Sequence, residues 1–77
     1  MSWNYRVVLE NDTYTLREVY YDIPETDGMM WTENPAYPMG ETLDELRQDI
    51  DLMKAGLLSP VLTEVNGKLV EVQGECL

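Results

Sequence analysis

The side chains able to attack, donate or ligate are few in this chain of 77 residues. Histidine is absent, which removes imidazole catalysis and histidine-ligated metal. A serine or cysteine nucleophile needs an activating base held beside it. Ser59 precedes Pro60 just beyond an expected helix end, and the lone cysteine, Cys76, stands next to Leu77 in an expected loose tail, 73–77. Neither position is held rigidly, so neither is expected to be catalytic. Asp44, Glu45, Asp49 and Asp51 crowd one segment, but no acidic loop has its glycine at EF-hand spacing. Asp44 and Asp51 lie seven residues apart on one helix face, too far along the axis to share an ion. They are expected to form a solvated helix face. No catalysis, cofactor or metal is expected.

Recognition is the chemistry that remains. Fifteen acids face five bases, a net charge of −10. Phosphate contacts require the opposite sign, so nucleic acid is disfavoured as a direct partner. The excess is concentrated: between residues 21 and 45 stand seven acids and no base. Two readings stand. The acids serve solubility and the first turn of a helix, or they form a surface that steers a basic protein. Trp31 and Tyr37 lie in the same stretch and either cover a sheet edge or anchor a partner. The expected partner-binding residues are therefore Trp31, Tyr37, Glu33, Glu41 and Asp22.

The elements that must position these residues follow from pattern. A hydrophobic fraction of 44% suits a folded core rather than a disordered acidic tail. Trp3, Tyr5, Val7 and Leu9 alternate with more polar neighbours, the period of a half-buried strand. Asn11-Asp12 is a turn-forming pair. With it as the loop centre, Leu9 faces Tyr14, Val7 faces Leu16 and Trp3 faces Tyr20, while Glu18, opposite Tyr5, is the exception. The apolar parity then shifts to Val19, Tyr21 and Ile23. That shift predicts a bulge near Arg17-Glu18 or a strand covered on both faces. Pro24 ends this strand, and Asp27-Gly28 turns into a short one over 29–33. After a proline-broken crossing segment, Thr42 to Glu45 reads as a capping box, with the Glu45 carboxylate reaching back to the Thr42 N–H. Leu43, Leu46, Ile50, Met53 and Leu57 predict the buried side of an amphipathic helix that Gly56 stops. Val61 to Val65, Asn66-Gly67 and Lys68 to Val72 read as a hairpin, with Val61, Val65, Val70 and Val72 on one face. The first arm at least should join the sheet.

The expected fold is thus α+β: a three- to four-stranded antiparallel sheet with one amphipathic helix on a face, in one domain over 1–72. No apolar run approaches the ~20 residues that span a bilayer, and Met1 to Arg6 lack the charged and apolar regions of a signal peptide. Cytoplasmic residence is the expectation, with no membrane partner.

This order of parts resembles the HicB-like antitoxin domain. The resemblance rests on Gly40-Glu41-Thr42-Leu43-Asp44-Glu45-Leu46, on Tyr5 to Val8 and Tyr14 to Glu18 as first hairpin, and on the Pro-Val-Leu after the helix, across residues 3 to 62. It implies a small sheet with one packed helix, often a homodimer, that binds and blocks a small basic ribonuclease toxin. The segment from Trp31 to Met39 departs from the family's short Pro-Gly-Cys-like stretch. Only a hairpin follows Pro60 where a DNA-binding module stands in longer antitoxins, so operator binding is not expected. The alternatives are an acidic decoy that mimics nucleic-acid charge, or an orphan dimerising domain.

Overall fold

A computed structural model describes residues 2–23 and 28–72. The tail expected over 73–77 lies outside the described residues. The described chain runs β1 (Ser2–Glu10), β2 (Thr13–Ile23), β3 (Gly28–Trp31), α1 (Leu43–Leu57), β4 (Leu62–Val65) and β5 (Lys68–Glu71). Asn11 and Asp12 both adopt left-handed backbone, φ 53° and 61°, which matches the twist of a two-residue hairpin. The register that results pairs Trp3 with Tyr20, Val7 with Leu16 and Leu9 with Tyr14, as the pattern predicts. It continues unbroken past Arg17 and Glu18. The expected bulge lies further on, between Tyr20 and Ile23 in the pairing with β3, where Asp22 sits at φ 58°.

The sheet has five strands in the order β3-β2-β1-β4-β5 and is mixed. This corrects the expectation of three or four antiparallel strands; the α+β class stands. Both arms of the Asn66-Gly67 hairpin join, and β4 runs parallel to β1 through Val8 opposite Leu62 and Leu9 opposite Thr63. The parallel step has a plain cause. A chain leaving β3 on one side of the hairpin must cross β2 and β1 to reach the far side, and a helix makes that return on one face.

The two faces of the sheet are unlike. Away from the helix, Val8, Val19, Leu62 and Leu69 form the driest cluster, with Tyr21, Met29 and Trp31 packed against it. The edge strands β3 and β5 touch across this side, so the sheet curls around the cluster. The second arm of the parity shift is thereby explained: β2 is covered on both faces. On the helix side, Tyr5 and Val7 are buried while Trp3 remains 46% exposed.

The helix begins as expected, with the Thr42 hydroxyl accepting from the Glu45 N–H at 3.1 Å. The Glu45 carboxylate accepts from Glu41 N–H at 2.8 Å, one residue earlier than the expected Thr42. Its buried side is rotated from the expected one. Met53 and Gly56 are buried, Leu46 and Asp49 half-buried, and Leu43, Ile50 and Leu57 exposed. Two contacts set this rotation. Tyr5 Oη donates to Asp49 Oδ1 at 2.5 Å, drawing a carboxylate toward the sheet. Gly56 meets the β1 backbone so closely that a Cβ there would stand 2.5 Å from the Tyr5 carbonyl oxygen. Gly56 is therefore a packing position inside the helix rather than its stop; Leu58 is the cap. In the final hairpin Val65 and Val70 share a face as predicted, yet both are substantially exposed, and the opposite-facing Leu62 and Leu69 are the buried pair.

Candidate binding cleft

The crossing segment between β3 and α1 is tied down along its length. Thr32 N–H donates to the Glu18 carbonyl at 3.1 Å and Ala36 N–H to that of Leu16 at 2.7 Å, so the segment lies along the outer edge of β2. Arg17, 6% exposed, fastens it from within the opposite face. Its guanidinium donates to the carbonyls of Thr32 at 2.9 Å and Glu33 at 3.1 Å, and to Thr15 Oγ1 at 3.1 Å. It also pairs with Glu10 at 2.8 Å. At the far end Met39 N–H donates to Asp49 Oδ2 at 3.0 Å. Gly40 is pressed against the first turn of the helix, where a Cβ would lie 2.5 Å from Leu46 N.

Between this fastened segment and the sheet lies a cleft of about 340 Å³, lined among others by Tyr5, Glu18, Glu33, Tyr37 and Met39. Glu18 accepts from Tyr20 Oη at 2.5 Å. Burial, and then the hydrogen bond to Asp49, push the Tyr5 hydroxyl well above its ordinary pKa. The bond to Glu18 raises Tyr20 too, ahead of desolvation. Both phenols therefore stay neutral donors, and both carboxylates they touch keep an unused acceptor capacity.

Among the described residues that line the cleft there is no cation. Arg17 is spent as described, and Arg6 lies on the other face, donating to Tyr21 Oη at 3.1 Å and the Pro60 carbonyl at 2.7 Å. Among the described residues the ion pairs are Arg17 with Glu10 and the exposed Arg47 with Asp44, so none involves Glu18 or Glu33. A guanidinium or ammonium entering the cleft would find carboxylates and aromatic rings ready for it.

Of the five expected binding residues, the structure brings Glu33 and Tyr37 into this cleft. Tyr37 is 69% exposed. Trp31 is half-buried against the core on the opposite face. Asp22 is exposed at the bulge, and Glu41 is exposed at the helix entry. Sequence reasoning missed Tyr5 and Glu18 as lining residues. A signal was present: Glu18 is the one charge on an otherwise apolar strand face. A smaller cleft of about 180 Å³ opens between the helix and Trp3, Tyr5, Leu52 and Ser59. Among the described residues no cluster of three or more acids or cysteines could hold a metal ion, and no helix is long and apolar enough to cross a membrane. Compared with known proteins, the chain matches no family model, no curated protein and no solved structure.

Proposed function

We propose that this chain is a non-enzymatic protein-binding module whose acidic cleft receives an arginine or lysine of a basic partner. The observation that carries the reading is the convergence of Glu18 and Glu33 with Tyr5 and Tyr37 in a cleft held open by a fastened segment, while Arg6 and Arg17 are engaged on the opposite face. A pre-formed receptor loses little ordering entropy on binding. Bidentate carboxylate contacts and a ring face supply the attraction, and the surrounding negative charge raises the encounter rate. Among the described residues that line the smaller cleft with Ser59 there is no carboxylate, amine or thiol. The resemblance to HicB-like antitoxins makes a small basic ribonuclease toxin the leading partner. The described order, three strands, a helix and two strands, has one strand more than that resemblance implies. Cytoplasmic residence is part of the same proposal.

The test is capture of the partner at low salt, followed by binding kinetics at two salt concentrations. Salt and Glu33→Gln should both act mainly on the association rate. Tyr37→Ala should act on dissociation, costing about 2 kcal/mol. An association rate indifferent to salt and to Glu33 would leave the acids as mere solvated surface.

A further inference from the structure

Tyr5 stands in the wall of two clefts. One is the acidic cleft, which it shares with Glu18 and Glu33. The other is the smaller cleft of about 180 Å³ between β1 and the C-terminal half of α1, which it shares with Trp3, Leu52, Ala55, Gly56 and Ser59. Register places Trp3, Tyr5, Glu18 and Tyr20 on the helix face of the sheet, so both clefts belong to one side of the molecule. The wall between them is held from several directions. The Trp3 ring meets the Tyr5 ring edge-on, with centroids 5.2 Å apart, and lies 6.3 Å from the Tyr20 ring. The far ends of the two phenols are fixed by Asp49 and Glu18. Tyr20 thus spans from the Trp3 ring to the Glu18 carboxylate. The floor of the smaller cleft is equally fixed, because Gly56 rests on the Tyr5 backbone.

The two clefts differ in chemistry. Among the described residues that line the smaller one there is no charged side chain, and Trp3 and Leu52 are 46% and 53% exposed there. An apolar cavity of roughly 150 Å³ takes up benzene, so this cleft has room for one aromatic ring. Rings already held in place lose little freedom when an anchor docks against them.

We infer that the two clefts read one segment of the partner together, the acidic cleft taking its arginine or lysine and the smaller cleft an aromatic side chain two residues away. This rests on the proposed basic partner. Charge fixes which side chain goes where: Glu18 and Glu33 favour the cation, and the uncharged cleft offers a cation nothing to offset its lost hydration. The spacing follows from the Tyr20 bridge. In an extended segment residues i and i+2 point the same way, about 7 Å apart, a span comparable to one phenol side chain.

Titration of the isotope-labelled full chain with acetyl-Phe-Gly-Arg-amide and acetyl-Gly-Gly-Arg-amide, read by amide chemical shifts, tests this. The first peptide should move Glu33 and Tyr37 together with Ala55 and Gly56. The second should move Glu33 and Tyr37 alone and bind about tenfold more weakly. Added salt should weaken both peptides and leave the ratio between them unchanged, since the aromatic contact carries no charge. Glu33→Gln should do the same. Ala55→Leu, at an exposed helical position, should fill the smaller cleft and abolish the ratio, with unchanged circular dichroism and unchanged affinity for the glycine peptide. Equal affinities with shifts confined to Glu33 and Tyr37 overturn the inference and leave the acidic cleft standing. Shifts confined to Ala55 and Gly56 overturn the acidic cleft as the cation site and the pairing with it, and no shift from either peptide overturns both.

Discussion

The two faces of the sheet do opposite work. The face away from the helix holds Val8 and Val19 at 0% exposure and Leu62 at 1%, enclosed by the curl that brings β3 to β5. The helix face is joined more loosely, through Met53, the close approach of Gly56 and the hydrogen bond from Tyr5 to Asp49. One face closes on itself and supplies stability. The other keeps its clefts, its exposed rings and its uncovered hairpin available. In a chain this small the same residues cannot do both, and the division explains why the expected helix stripe is only half used.

Truncation in the enclosed cluster should have the largest effect. Leu62→Ala leaves a cavity that the curled sheet cannot collapse into, and should cost about 3 kcal/mol in chemical denaturation. Trp31→Ala should likewise act on folding, since its ring packs on that cluster. Arg17→Met comes next, at about 2 kcal/mol, because it strands Glu10 and the Thr32 and Glu33 carbonyls. It should also loosen the cleft, visible as faster amide exchange at Ala36. A cost for Arg17→Met above that for Leu62→Ala would move the larger share of stability from the apolar cluster to the guanidinium that fastens the crossing segment.

The helix face should yield smaller numbers. Asp49→Ala removes the acceptor of both Tyr5 Oη and Met39 N–H, for about 1 kcal/mol. Its counterpart is a pH effect. Tyr5 titrates in the fold above its ordinary value of 10.0, so the stability it contributes is complete below pH 10 and is lost as pH rises from there. Tyr5→Phe should flatten the alkaline limb of the stability curve; an unchanged limb would mean that other groups govern it. Smallest of all, Tyr37→Ala should change stability by less than about 0.5 kcal/mol, as an exposed cleft residue should.

Much of this was legible from local pattern. The first hairpin follows from Asn11-Asp12 and the alternation of Trp3, Tyr5, Val7 and Leu9, because turn chemistry and pleat fix register together. The Thr42 cap is a matter of four consecutive residues. What was not legible depends on contacts across the chain. The rotation of α1 is set by Asp49 meeting Tyr5, and periodicity treats an aspartate as outward-facing. The preference for Leu62 and Leu69 over the valines depends on which way the sheet curls, which alternation alone leaves undecided. In the cleft, Glu33 and Tyr37 were found by their neighbours in sequence, whereas Glu18 enters from another strand.

The parallel seam between β1 and β4 has a consequence in time. β1 finds β2 across two turn residues, a closure of the microsecond kind. It finds β4 only across 54 positions, as the bond from Thr63 Oγ1 to the Leu9 carbonyl spans. Closing so long a loop is entropically slow, and contacts of that range retard folding. During synthesis the hairpin therefore precedes its far neighbour by the interval needed to make and thread the helix. Throughout that interval β1 offers a bare edge bearing Val8, which is later wholly hidden together with Val19. Assembly order, rather than the finished structure, is where this protein is most open to mispairing, and a chain released before residue 62 should be the species that aggregates.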